Sequence, residues 1–441
     1  MSSYDQMNTS LTVRSVRRRY YVITFLTWFA TALPLSLTVL LAQARGIGLA
    51  EVGLALGIYS LTVVALEAPT GGLADAVGRK RVALLAFALA ALYHLAFLFA
   101  FSFPALLLAL ILYGVSRALS SGALDAWFVD ALQEADPDVD LQPALAGAET
   151  VGLAALGLGT LLGGVLPRFF TMLPPDGTTV LTPLAVPIVA ALAVKLLLVA
   201  AVILLIHEPR PVGGASWRAG FRAVPGLVSD AARLSRANPR LLLLMSASFV
   251  SGLAVISLEA LWQPHFAALV DSAAGGPPTL LLGVLMAGSF VAGMGGNLLA
   301  GSLARRLGGR NALVSAVARV LQGASIVALA AAGAFIPAAG FFWLAYLMRG
   351  VGLSPHATLL NAEIPAERRS AMLSVQSLAA YLGSFVGGAG LGYVAEHASI
   401  PAAWLITGAL TVVSLLPYLI LDARRDRAEG ERGNERLLQQ P

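Results

Sequence analysis

Twelve apolar runs, each close to the length needed to cross a bilayer, govern what this chain can fold into. They cover residues 20–41, 52–72, 82–101, 103–128, 144–167, 182–206, 241–266, 279–303, 311–333, 337–360, 372–394 and 400–421. A helix of about 20 apolar residues spans the hydrocarbon core. In lipid every backbone N–H and C=O must be satisfied within the chain, which leaves helices or closed barrels. These runs are too long and continuous for barrel strands, so helices are expected. A charged fraction of 12% and a mean hydropathy of +0.79 agree, since soluble proteins carry about 25% charged residues.

The first run follows Arg14, Arg17, Arg18 and Arg19, and Ala42-Gln43-Ala44 resembles a signal-peptidase site. A secretory apolar core is only about 7–15 residues long. The longer run 20–41 is therefore expected to stay as a first helix. Six runs precede a polar stretch at 207–240 and six follow it. The expected domains are residues 1–206, a cytoplasmic linker 207–240, and residues 241–441 with a charged tail. Trp217, Arg218, Phe221 and Arg222 suggest an amphipathic helix on the membrane face within the linker.

Placing the N-terminus in the cytoplasm puts 23 of the 29 Lys and Arg residues in cytoplasmic segments, against Arg45 and Arg168 outside. That asymmetry is what the positive-inside rule requires. It predicts a polytopic plasma-membrane protein with both termini in the cytoplasm. The loop 129–143 is instead acidic, but Asp and Glu weigh little in that rule. The net charge of +5 is then a topology signal rather than a sign of nucleic-acid binding.

The chain has no cysteine, and its five histidines show no ligand spacing. Disulfides and thiol chemistry are excluded, and neither a metal site nor a cofactor is expected. No GxxxxGK[ST] loop is present, so an ion gradient, by default of protons, is the expected energy source.

The two halves repeat. Gly71-Gly72-Leu73-Ala74 aligns with Gly301-Ser302-Leu303-Ala304, Gly78 with Gly308, and Lys80 with Arg310. Gly159-Thr160-Leu161-Leu162-Gly163-Gly164 aligns with Gly383-Ser384-Phe385-Val386-Gly387-Gly388, and Arg117 with Arg349. A parallel repeat of two six-helix units is one established transporter layout. The expected fold class is an all-α membrane protein: twelve transmembrane helices in two pseudo-symmetric six-helix bundles.

Gly71, Leu73, Ala74, Asp75, Gly78, Arg79 and Lys80 resemble the loop signature G-x-L-a-D-r-x-G-r-k of the major facilitator superfamily, with Ala76 where arginine is frequent. The resemblance covers residues 20–421 and is nearest in motif pattern to the twelve-helix drug:proton antiporters. It implies a gating latch in which Asp75 pairs with Arg79 and faces the start of run 11 near Ser370. A plain topology-setting cation cluster is the alternative. Gly159, Gly163 and Gly164 are similar to the antiporter signature G-P-x-x-G-G, with Thr160 in place of proline. They are expected to pack run 5 against run 8, with Gly383, Gly387 and Gly388 as their counterparts; packing alone also accounts for such glycines.

Eight ionisable residues fall within the runs: Glu67, Arg117, Asp125, Glu149, Lys195, Glu259, Arg319 and Arg349. A charge at mid-membrane costs about 2.5–3.5 kcal/mol on insertion scales, so compensation is required. Asp125 and Glu149 are the leading proton-coupling candidates, with Glu67 and Glu259 behind them and Arg117 and Arg349 as charge partners. A static salt-bridge network is the competing reading. Lys195 and Arg319 have the option of snorkelling, and Asp130 is expected to partner Arg79. Phe25, Trp28, Phe29, Tyr59 and Trp127 line a lipophilic cavity or simply pack.

The function expected is secondary transport, most simply proton-coupled efflux of lipophilic small molecules by a monomer in contact with lipid. Alternatives are a proton symporter of a polar solute and a membrane sensor or scaffold that moves nothing. A membrane enzyme would require a His/Asp or metal constellation that is not evident.

Overall fold

The computed structural model describes residues 12–120, 122–175, 177–208, 226, 233, 238–270, 278–364 and 369–423. Among them there is no strand. The helices are α1 (Val13–Ala32), α2 (Thr38–Ala44), α3 (Leu49–Val77), α4 (Arg79–Leu98), α5 (Phe103–Ser120), α6 (Ala123–Ala135), α7 (Leu141–Val165) and α8 (Val186–Leu205). They continue with α9 (Pro239–Leu269), α10 (Thr279–Arg306), α11 (Asn311–Ala331), α12 (Phe335–Ala362), α13 (Arg369–His397) and α14 (Ile400–Val413).

Eleven segments among the described residues are long and apolar enough to cross a membrane. The first of the twelve expected runs is not one of them, because it is split. Pro34 has no N–H to continue the ladder, and the bonds Leu35 N to Ala32 O and Leu37 N to Pro34 O tighten the chain into turns. Run 4 departs from expectation too. Gly122 takes φ 75°, a left-handed conformation favourable only without a Cβ, and separates α5 from α6. Helix α6 then continues to Ala135, so Asp130 and Glu134 are helical rather than in the acidic loop.

Local chemistry starts the helices. Thr12 accepts from Ser15 N at 3.3 Å before α1, and Asp140 accepts from Gln142 N at 3.0 Å before α7. Asn238 accepts from Arg240 N at 3.0 Å before α9, with Pro239 in the first helical position. Each satisfies a donor that has no intrahelical partner.

The chain divides into two compact units. The first comprises Met1–Arg45, Thr62–Val224 and Thr279–Val284; the second comprises Gly46–Leu61, Pro225–Pro278 and Leu285–Pro441. Helix α3 thus starts in the second unit and finishes in the first, and α10 does the reverse. Val16, Tyr20, Phe87, Phe128, Leu132 and Leu198 join in a core of the first unit. Leu241, Leu244, Leu360 and Tyr418 do so in the second.

The glycine ladders work inside these units. A Cβ at Gly159 would stand 2.7 Å from Phe29 O, and one at Gly163 would collide with Leu33 O, so both seat α7 on α1 rather than on run 8. Gly164 alone faces α10, where its Cβ would meet Thr279 O at 2.6 Å. In the second unit Gly383 and Gly387 seat α13 on α9 at Phe249 and Leu253, and Gly388 meets Gly53 on α3. The amphipathic linker helix lies outside the described residues, as do the side chain of Asp75 and the surroundings of Gly71 and Ser370.

Candidate functional site

In the first unit Arg117 stands near the end of α5, with its guanidinium 5.6 Å from the ring centre of Trp28 on α1. That distance is within the range of a cation–π attraction. Its charge reaches Glu67 on α3 and Lys195 on α8. Asp125 follows the Gly122 break and accepts a short hydrogen bond from the Tyr20 hydroxyl. The Tyr20 ring is fixed by stacking on Phe128 at 3.9 Å and 5°. Glu149 on α7 is within electrostatic reach of the same tyrosine. Asp125 and Glu149 both have exposed side chains, whereas Trp127 is buried core.

Lys195 does not snorkel. It lies halfway along α8, only 3% exposed, and donates to Thr27 O at 3.0 Å and Thr31 Oγ1 at 3.1 Å. The Thr31 hydroxyl itself donates to Thr27 O at 2.8 Å. The ammonium is thus hydrogen-bonded to α1. Arg319 is likewise drawn inward, donating to Gln322 Oε1 at 3.1 Å. Both side chains are buried.

In the second unit Glu259 on α9 and Arg349 on α12 are exposed and close enough for their charges to interact. Tyr346, one turn before Arg349, lies within reach of both charges and is buried, its hydroxyl without a hydrogen-bond partner among the described residues. Trp262, three residues after Glu259, is buried in the core and packs on Phe342 with ring centres 5.8 Å apart.

The described part of the loop motif holds α4 in place. Gly78 precedes α4 with φ 106°. Arg79 pairs with Asp130 on α6. The Arg79 and Lys80 N–H groups both donate to the Glu208 carboxylate at 2.8 Å, and Lys80 Nζ donates to Ile203 O at 2.9 Å and Ile206 O at 2.6 Å. A carboxylate suits the positive end of a helix. In the second unit Arg310, the counterpart of Lys80, pairs with Asp422 at the end of the last span.

Sequence reasoning overlooked Glu208 and Asp422 because each lies outside the motif it serves. It also overlooked a buried relay in the second unit, where His356 meets Ser248 Oγ at 3.0 Å and Tyr418 Oη at 2.9 Å. Ser248 donates to Leu244 O at 3.1 Å, so the tautomer with hydrogen on Nε2 satisfies all three groups. Only the scattered His, Ser and Tyr in apolar runs hinted at it.

The family model described as Major Facilitator Superfamily matches residues 20–364. The chain belongs to the major facilitator superfamily. Among solved structures, the nucleoside transporter NupG is similar with a TM-score of 0.74 at 16% identity, over 92% of this chain and 98% of that one. A bacterial homolog of the human lysosomal transporter Spinster, inward-facing and unoccupied, gives 0.66 at 16% identity, over 93% and 95%. A POT family transporter in complex with a thioalcohol-conjugated peptide gives 0.67 at 11% identity, over 92% and 96%. No curated protein matches the sequence. At such identities the structures establish the superfamily's fold, and the family makes the chain a polytopic membrane transporter.

Proposed function

We propose that this transporter is a proton-coupled exporter of lipophilic small molecules, working as a plasma-membrane monomer by alternating access with both termini in the cytoplasm. The carrying observation is the partner of Asp125. An exposed carboxylate on a membrane helix is held by a tyrosine hydroxyl rather than a cation. A hydroxyl can keep a hydrogen bond to either protonation state of a carboxyl, as a proton carrier needs. Glu149 beside it, and Glu67 and Glu259 opposite Arg117 and Arg349, complete the coupling set. Asp75 with Arg79 serves as the gating latch, and residues 1–206, 207–240 and 241–441 act as bundle, linker and bundle. Proton-coupled uptake of a polar solute is the second reading, favoured by the nucleoside and peptide transporters among the structural relatives.

Reconstitution in liposomes with an imposed pH gradient separates these readings. Gradient-driven dye accumulation that is lost in Asp125→Asn and reduced in Glu149→Gln is the expected result. Undiminished transport in both variants rejects the coupling assignment, and uptake of a nucleoside or peptide without dye movement favours the second reading.

A further inference from the structure

Helix α1 carries an unusual sequence of side chains along one face. Arg14, Arg18, Tyr21, Phe25 and Trp28 follow one another at alternating spacings of four and three, which keeps them on one side of a helix. Arg14, Arg17, Arg18, Tyr21 and Phe25 line a cavity of about 1200 Å³. That exceeds the roughly 300–1,000 Å³ of ordinary small-molecule sites. Further along the face, Trp28 carries the Arg117 guanidinium.

The three arginines at the cavity have no carboxylate partner among the described residues, where the ion pairs are Arg79–Asp130, Arg240–Glu363 and Arg310–Asp422. Arg17 donates to Tyr21 Oη at 3.3 Å and lies 5.7 Å from that ring, which braces it without neutralising it. Arg19, one position on, is spent elsewhere: it donates to Leu205 O at 3.2 Å and faces His207 Nδ1 at 3.4 Å. The positive-inside rule accounts for cations in this segment, but it is indifferent to which face they occupy. Three guanidinium groups without a carboxylate partner among the described residues, along one helical wall of the cavity, concentrate positive potential there, and each presents a fork matched to carboxylate, sulfonate or phosphate. One to three turns deeper the wall becomes aromatic.

We infer that this face of α1 binds an amphiphilic anion, its carboxylate, sulfonate or phosphate head on Arg14, Arg17 and Arg18 and its apolar body along Tyr21 and Phe25. This rests on the exporter reading and narrows its substrates from lipophilic compounds in general to anionic ones. The same chemistry is offered by a soluble organic anion and by the head of an anionic lipid.

The test uses full-length protein in phosphatidylcholine nanodiscs and three probes sharing one pyrene body: pyrenebutyrate, pyrenebutanol and a pyrenebutyl trimethylammonium. Pyrenebutyrate is expected to bind about tenfold more tightly than the alcohol, the size of one charge-assisted contact, and the cation more weakly than either. Added salt should shrink the difference. The triple variant Arg14→Gln, Arg17→Gln, Arg18→Gln should abolish the anion preference, and the triple Lys variant, which keeps the charges and the topology signal, should retain most of it. Equal binding of anion and alcohol by the unaltered protein, or an undiminished preference in the Gln variant, overturns the inference. Phosphatidylglycerol in the disc that displaces pyrenebutyrate assigns the site to a lipid head, and absence of displacement assigns it to soluble anions. Gradient-driven export of neutral dye without anion preference rejects this site and keeps the exporter. Selective anion binding without any gradient-driven transport keeps the site and rejects the exporter.

Discussion

Lys195 shows how one residue's cost is met inside a helix bundle. A buried ammonium is expensive unless hydrogen-bonded, and here the acceptors are a carbonyl and a hydroxyl of α1. Removing only the acceptor should therefore hurt more than removing both ends. Thr31→Val leaves the lysine with a single acceptor, an expected cost of about 1–3 kcal/mol. Lys195→Met with Thr31→Val should recover part of that loss, since no ammonium is then left short of an acceptor. Thermal midpoints of the purified single and double variants measure the coupling. A double variant no more stable than Thr31→Val alone would refute this account of how the lysine is held.

At the scale of elements, backbone-on-backbone seating should separate glycines that look alike in the sequence. Gly163→Ala and Gly383→Ala would drive a Cβ into the carbonyls of Leu33 and Phe249, an overpacking cost of about 1–3 kcal/mol. Gly157→Ala and Gly390→Ala, on the same two helices, meet nothing within 4 Å, so they should be neutral or mildly stabilising. A ranking of melting midpoints that does not separate the two pairs would contradict the seating. Hydropathy made the helices legible, because a 20-residue apolar run has few other fates in lipid. The glycine ladders were also legible: Gly159 and Gly163 seat α7 on α1, as Gly383 and Gly387 seat α13 on α9. The breaks were not. Gly122 is one glycine among 44, and nothing in the sequence marks it as one of the few that take a positive φ. Nor could charge depth tell which way a side chain turns: Lys195 and Trp262 point into packing that only the neighbouring helices define. The charge of Arg117 reaches Glu67, whereas Asp125 is held by the Tyr20 hydroxyl, a partner that no pairing rule selects.

For the whole molecule, the absence of native cysteine makes orientation directly measurable. Met172, between α7 and α8, is 89% exposed. A Met172→Cys variant should react with a membrane-impermeant maleimide on intact cells, and a Gln439→Cys variant only after permeabilisation. The reverse pattern would invert the topology. On the side assigned to the outside, Arg45 grips the end of α4 through Phe97 O at 2.7 Å and Leu98 O at 2.9 Å, with its guanidinium 4.5 Å from the Phe101 ring. Burial lowers its pKa from the ordinary arginine value, yet arginine remains a cation. The opposite end of α4 is held by Glu208, which sits just before the segment that leads toward the second unit. A pull on Glu208 bears directly on two amide groups at the head of α4. The chain leaving the first unit is in this respect a tether with a defined mooring on α4.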